Sequence, residues 1–134
     1  MKLKNITKLT EADLHYLAGF LDGDGSIMAQ IVKGNSYKYG YSIRVTICFY
    51  QKTKRHWFLL KLRKLLGKDW KIRKRNDGMS ELYITGFTPV KNILISLQPH
   101  FRLKPRLAKL VLEIIDEYSQ IQNEADFLEV CKKI

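Results

Sequence analysis

Acidic side chains are scarce in this chain. Thirteen Asp and Glu stand against 24 Lys and Arg, a net charge of +11 over 134 residues. That imbalance does not fit an ordinary globular protein and implies a polyanionic partner, with nucleic acid first and an anionic membrane surface as the rival. The membrane reading is weakened by two further absences. No apolar run approaches the ~18 residues of a membrane span, and no strongly amphipathic basic helix stands out. Only two cysteines occur, Cys48 and Cys131, far apart and without metal-ligand spacing. They read as free thiols in a reducing compartment. The opening Met-Lys-Leu-Lys-Asn has neither a secretory apolar core nor the look of an Arg/Ser-rich transit peptide. Linkers, low-complexity tracts and long repeats are also missing, so residues 1–134 read as one domain with room for a real core.

The most informative stretch is residues 14–27, Leu-His-Tyr-Leu-Ala-Gly-Phe-Leu-Asp-Gly-Asp-Gly-Ser-Ile. Leu14, Leu17, Ala18 and Leu21 recur at helical spacing and share one face. Thr10 can cap this helix, with Asp13 completing a partial capping box. Gly19 and Gly23, four residues apart, let another backbone come close. Gly23 and Gly25 flank Asp24 and permit a sharp exit. Asp24 therefore sits at a helix C-terminus, where the dipole is already negative, and a bound divalent cation would reverse that penalty. Asp22 reads as helix-end structure. A calcium loop is excluded, because the EF-hand register would place Phe20 and Ile31 at its first and twelfth positions. The glycines also lack the G-x-G-x-x-G spacing of a dinucleotide loop. A plain core helix ending in an Asp-Gly turn remains open on these residues alone.

Around it the pattern predicts a helix over about 11–22, a strand over 26–33 and a long strand over 41–51. In the first strand Ile27, Ala29 and Ile31 alternate with Met28, Gln30 and Val32. In the second, Ile43, Val45, Ile47 and Phe49 alternate with Ser42, Arg44, Thr46, Cys48 and Tyr50. A second helix is expected over 52–66, ended by Gly67, with Trp57, Phe58, Leu62 and Leu65 in the core. A hairpin follows, Trp70–Arg75 and Glu81–Thr85 around Asn76-Asp77-Gly78. Thr88-Pro89 is expected to open a third helix to Leu97. Residues 105–118 form a fourth, with Leu107, Val111, Ile114 and Ile115 inward, and 124–133 a last one, with Phe127, Leu128 and Cys131 on its apolar side. The order α-β-β-α-β-β-α-α predicts an α+β fold: one antiparallel four-stranded sheet, a saddle backed by helices.

The sheet's outward face is basic and aromatic, and a two-stranded ribbon fits the DNA major groove. Arg44, Arg73 and Arg75 can each donate twice to guanine, Gln30 can read adenine, Glu81 can accept from cytosine, and Met28 or Val32 can meet a thymine methyl. Lys33, Lys38 and Lys52 suit phosphates. Ser36, Tyr37, Ser42, Thr46, Cys48, Tyr50, Lys71 and Tyr83 complete the expected DNA-facing set. A solvated face is the other reading of the same alternation.

Leu-Ala-Gly-Phe-Leu-Asp-Gly-Asp-Gly (17–25) closely resembles the signature of the LAGLIDADG homing endonucleases, and the segments up to about residue 131 resemble its single-motif homodimeric members in order. The resemblance implies two such helices packed about a two-fold axis, with Leu14, Leu17, Ala18, Gly19, Leu21 and Asp22 in the dimer interface. It implies metal-dependent double-strand cleavage of a long pseudo-palindromic site with 3′ overhangs, in the service of intron mobility. Asp24 would be the catalytic metal ligand, joined by the Gly23 carbonyl. Gln51, in Gln51-Lys52-Thr53-Lys54-Arg55, would position water, Arg55 would stabilise phosphate charge, and Lys104, in Phe101-Arg102-Leu103-Lys104-Pro105, would support the nucleophile. Mg²⁺ is the expected ion, with Mn²⁺ able to replace it and Ca²⁺ binding without cleavage. Duplex DNA and a second copy of the chain are the expected partners, with no membrane and no small-molecule substrate. An intracellular, organellar setting follows if an organelle intron encodes the chain. The chain departs from the family pattern by ending at Ile134, where a longer tail is expected. A non-cleaving nucleic-acid binder on the same fold, a maturase or transcription regulator, is the rival, and a monomeric ribosomal-type RNA binder the second.

Overall fold

The computed structural model describes residues 9–67 and 70–134. The basic lead expected at the N-terminus lies, up to residue 8, outside the described residues. Helix α1 spans Glu11–Asp24. Its start is closed by the full capping box: Thr10 Oγ1 accepts from Asp13 N–H at 3.1 Å, and an Asp13 carboxylate oxygen accepts from Thr10 N–H at 3.2 Å. The helix continues to Asp24, two residues beyond the expected end, so Gly23 is helical. The exit does not use a left-handed glycine, since Gly25 has φ −98°. Gly25 is there for space: a Cβ would lie 2.9 Å from the Cys48 carbonyl oxygen and within 3.0 Å of Leu21.

Strand β1 (Ser26–Lys33) returns antiparallel onto β2 (Tyr41–Lys52), Ile27 facing Ile47 and Gln30 facing Arg44. The connecting loop closes through Gly34 N–H to the Gly40 carbonyl at 3.0 Å, with Gly40 at φ +79°. β3 (Lys71–Lys74) and β4 (Met79–Thr85) form the second hairpin, and the sheet order is β1-β2-β4-β3, all antiparallel. The α+β fold with a four-stranded saddle is therefore the observed one, with β2 and β4 at its centre. Ile43, Val45, Ile47, Phe49, Leu82 and Ile84 bury one face of the sheet against α1 and the later helices. That apolar layer fixes the register, because a one-residue slip would turn it to solvent.

Four details of the helices differ from the sequence reading. β2 runs through Lys52, and one 3₁₀ turn (Thr53–Arg55) precedes α2 (His56–Leu65). The later start sets the inward face by Leu59, Leu62 and Leu66, leaves Leu65 partly buried, and turns Trp57 outward at 55% exposure. α3 (Phe87–Leu97) begins before Thr88, with Gly86 at its N-cap at φ +121° and no side-chain cap, so Pro89 sits third, where its missing N–H is still among the unpaired donors of a first turn. In α4 (Pro105–Tyr118) Ala108 takes the core place expected of Leu107, which is 37% exposed. In α5 (Glu124–Cys131) Phe127 and Val130 are buried and Leu128 faces out. In α2 and α4 the buried face is shifted by about one residue from the expected one, which neighbouring elements decide.

Candidate functional site

The sheet face away from the core carries a concave basic surface. A hollow of about 590 Å³ is lined by Met28, Gln30, Arg44, Tyr50, Lys71, Arg73, Glu81 and Tyr83, among others. Gln30, Arg44, Lys71, Arg73 and Arg75 are exposed, and Met28, Val32, Ser42, Tyr50 and Tyr83 half-buried. Lys33, Ser36, Tyr37, Lys38 and Lys52 are exposed towards the strand ends. Three expected contact residues are closed off instead. Cys48 has no exposed surface, and burial, with Glu81 adding to it, pushes its thiol up to about 12. It stays a protonated, inert group beneath the face. Thr46 is buried and meets Thr85 across the strands, Oγ1 to Oγ1 at 3.4 Å.

Glu81 is 5% exposed. Burial alone would raise its pKa; hydrogen bonds from Tyr83 and Arg73, and the charges of Arg73 and Arg75, outweigh burial and hold it below the usual value. Arg73 Nη2 donates to Glu81 Oε1 at 3.0 Å, Arg75 Nε lies 3.6 Å from the same oxygen, and the Tyr83 hydroxyl donates to Oε2. The carboxylate is thus occupied by its own chain. It aligns two arginines rather than offering itself to a cytosine. Burial and the Glu81 contact push Tyr83 up to about 12, so its hydroxyl remains a donor.

The second half of the site lies where α1 ends. Asp24 and Gly23 are exposed there. Asp24, Gln51, His15, Tyr16, Gly19 and Phe20 line a hollow of about 400 Å³. Gln51 Oε1 accepts from Arg55 Nε at 2.8 Å and from the Lys52 backbone N–H at 3.1 Å, which ties Arg55 to the strand end carrying Gln51. Behind them Thr53 N–H donates to the Gly78 carbonyl at 2.8 Å, and Ser80 Oγ meets both Thr53 Oγ1 (3.2 Å) and His56 Nδ1 (2.9 Å).

Lys104 reaches the same helix end by another route. The Asp22 carboxylate accepts backbone N–H groups from Arg102, Leu103 and Lys104 at 2.8–3.0 Å. The Lys104 ammonium donates to the Asp22 backbone carbonyl, placing positive charge at a helix C-terminus. Burial works to raise the Asp22 pKa, but the three backbone donors and the Lys104 charge win and lower it. Asp22 is therefore the clamp that delivers Lys104. The donors free at this end, a carboxylate and terminal helix carbonyls, are hard oxygens that fit a magnesium-class ion.

The structure places the residues expected at a dimer interface differently. Leu17, Ala18 and Leu21 have at most 1% exposure and Asp22 6%, so all four belong to the chain's own core. Leu14 is half-buried and Gly19 exposed. The free side of α1 presents His15, Tyr16, Gly19 and Gly23, with Phe20 at its edge. Tyr16 and Phe20 run into Phe58 and Trp57 through ring contacts of 5.9–6.2 Å. A Cβ on Gly19 or Gly23 would meet nothing within 4 Å. The sequence held the signal for this surface: beyond its first turn α1 is apolar on both sides, and such a helix is buried on both.

Comparison with known proteins agrees with this geometry. The family model described as LAGLIDADG endonuclease matches residues 17–116. DNA endonuclease I-CreI of Chlamydomonas reinhardtii is 43% identical over 126 residues, covering 93% of this chain and 76% of that protein. DNA endonuclease I-CvuI of Chlorella vulgaris is 43% identical over 114 residues, covering 85% and 70%. A crystal structure of I-CvuI with the I-CreI target in 2 mM Mg, its DNA not cleaved, superposes with a TM-score of 0.82 at 40% identity, over 90% of this chain and 76% of that one. A second I-CvuI structure holds its own target in 2 mM Ca, with a TM-score of 0.81.

Proposed function

Since the chain belongs to the LAGLIDADG endonuclease family, we propose that it is a homodimeric, metal-dependent homing endonuclease that cuts both strands of a long, pseudo-palindromic DNA site and leaves 3′ overhangs. The observation that carries this reading is the position of Asp24. It sits exposed at the end of a helix whose bare face is shaped for a second copy, beside Gln51 and close to the Lys104 clamp, at the edge of a basic saddle. One chain supplies few carboxylates there, and pairing two α1 helices by their free faces supplies a second Asp24. Two saddles related by a two-fold axis then read two half-sites.

In this reading the sheet binds first. Lys33, Lys38 and Lys52 hold phosphates and set register, while Gln30, Arg44, Arg73 and Arg75 meet base edges in the major groove. Glu81 and Tyr83 hold Arg73, and Glu81 with Asp77 holds Arg75. At the scissile phosphate Asp24 and the Gly23 carbonyl would hold Mg²⁺, with Mn²⁺ as a substitute and Ca²⁺ as a non-productive one. Such an ion supplies charge neutralisation and a more acidic water. Gln51 orients water through its amide, its oxygen already fixed by Arg55. Arg55 offers its free guanidinium N–H groups to phosphate oxygens. Lys104, held by Asp22, opposes negative charge as it builds on the phosphate. Support for the DNA partner and the divalent ion comes from the DNA complexes of I-CvuI in Mg and Ca. An organellar intron as the coding source, and one domain over the whole chain, belong to the same proposal.

The test is cleavage of a randomised duplex library by wild type and Asp24→Asn, each in Mg²⁺ or Ca²⁺. One long, roughly palindromic site cut only by wild type in Mg²⁺ is expected, with Asp24→Asn slower by ~10³-fold or more. Enrichment of a bound site without cutting in any ion would replace this reading with a non-cleaving binder.

A further inference from the structure

The first two turns of α1 carry a second set of ligand-bearing side chains, of which His15 also lines the far end of the hollow that holds Asp24. Glu11 and His15 are one turn apart on the exposed side of the helix, with His15 Nε2 3.4 Å from Glu11 Oε2. His100 approaches them from the 3₁₀ turn Gln98–His100, its ring centroid 4.2 Å from that of His15 and the planes at 51°. One donor atom from each of the three lies within 4.8 Å of the others. We propose that Glu11, His15 and His100 form a binding site for a zinc-class divalent ion, distinct from the oxygen-donor site at Asp24.

The donor set decides the class of ion. Two imidazoles and one carboxylate suit Zn²⁺, Co²⁺, Ni²⁺ or Cu²⁺ and disfavour Mg²⁺, which demands oxygen ligands in a near-ideal octahedron. Zinc bonds to such donors are ~2.0–2.2 Å long, so the side chains must draw in by about an ångström. That movement is easy in the single chain, because the His15 and Glu11 side chains are 61% and 80% exposed. A fourth position is left to water. All three donors come from one chain, and because His15 lies on the face that α1 offers to a second copy, the site would sit at the edge of that pairing. Its consequence is mechanical: His100 directly precedes Phe101–Lys104, the segment that Asp22 holds from the other side. A bound ion would tie that segment to the start of α1 as Asp22 ties it to the end.

The test uses the full chain stripped with a chelator and titrated with Zn²⁺ by calorimetry, then with Co²⁺ by visible absorption. One ion per chain is expected, with His15→Ala and His100→Ala each weakening uptake about tenfold or more. Cys131→Ser and Asp24→Asn should leave uptake unchanged, and millimolar Mg²⁺ should not compete. Circular dichroism should show all variants folded. Uptake equal in wild type and in the His15→Ala/His100→Ala double variant, or no uptake by either, would overturn the site.

Discussion

The two sides of α1 have opposite surroundings. On the inner side Leu17, Ala18 and Leu21 are wholly covered by the chain's own sheet and helices, and Asp22 spends its carboxylate on three backbone donors. On the outer side Tyr16 is 56% exposed, Gly19 and Gly23 face open space, and Asp24 is bare. The two aspartates sharpen the contrast. Separated by one glycine, they point to different worlds, one a structural clamp and the other a free ligand. Burial by the chain's own atoms makes a residue structural. Exposure on an otherwise apolar helix marks the surface that a partner and a substrate complete.

Leu21→Ala should do the most damage to folding. It empties a site of 0% exposure and should cost ~3 kcal/mol, read as a lower midpoint in urea. Gly19→Leu should leave the isolated chain folded, or slightly more stable through better helix propensity, because a Cβ there meets nothing. Its effect belongs to the other side: dimer association should weaken ~100-fold, or about 2.7 kcal/mol, by sedimentation. If instead Gly19→Leu unfolds the chain, the two sides of the helix are not independent.

Asp22→Asn should cost ~2 kcal/mol at neutral pH by weakening charge-assisted bonds to Arg102, Leu103 and Lys104. The folded-state pKa of Asp22 lies below its ordinary value. Its contribution is therefore complete above the unfolded pKa and is lost as pH falls through the folded one. The melting temperature of the variant should fall less steeply than wild type below about pH 4. Glu81, depressed in the same sense, keeps part of the slope in both. Trp57→Ala should change folding stability least, within ~0.5 kcal/mol, since its ring is mostly outside the core. A larger loss in the monomer would mean the ring is covered by its own chain.

Much of the fold was legible because its signals are local. The alternation in β2, the Asn-Asp-Gly turn and the Thr10 cap each specify their element within a few residues. The phase of short helices was not, since Trp57 against Leu59, or Leu107 against Ala108, is settled by what packs opposite. At the site, Asp24, Gln51, Arg55 and Lys104 were named through the family resemblance, and the first two share a hollow. Of the residues expected at a dimer interface, Leu17, Ala18, Leu21 and Asp22 lie in the chain's own core and Gly19 faces out, because apolar residues on both sides give a pattern without a direction. Cys48 and Glu81 looked outward by alternation. Their burial comes from long neighbours, Tyr50, Arg73 and Tyr83, folding over them, which strand periodicity does not encode.

The most direct test is the mass of the protein in solution, free and bound to its DNA site, by sedimentation or light scattering. A species of twice the 15.7 kDa chain mass, retained on DNA and lost in Gly19→Leu, is the predicted result. A chain that remains a single copy on DNA would contradict the pairing of two α1 helices, and with it the assembly of two Asp24 carboxylates at one site.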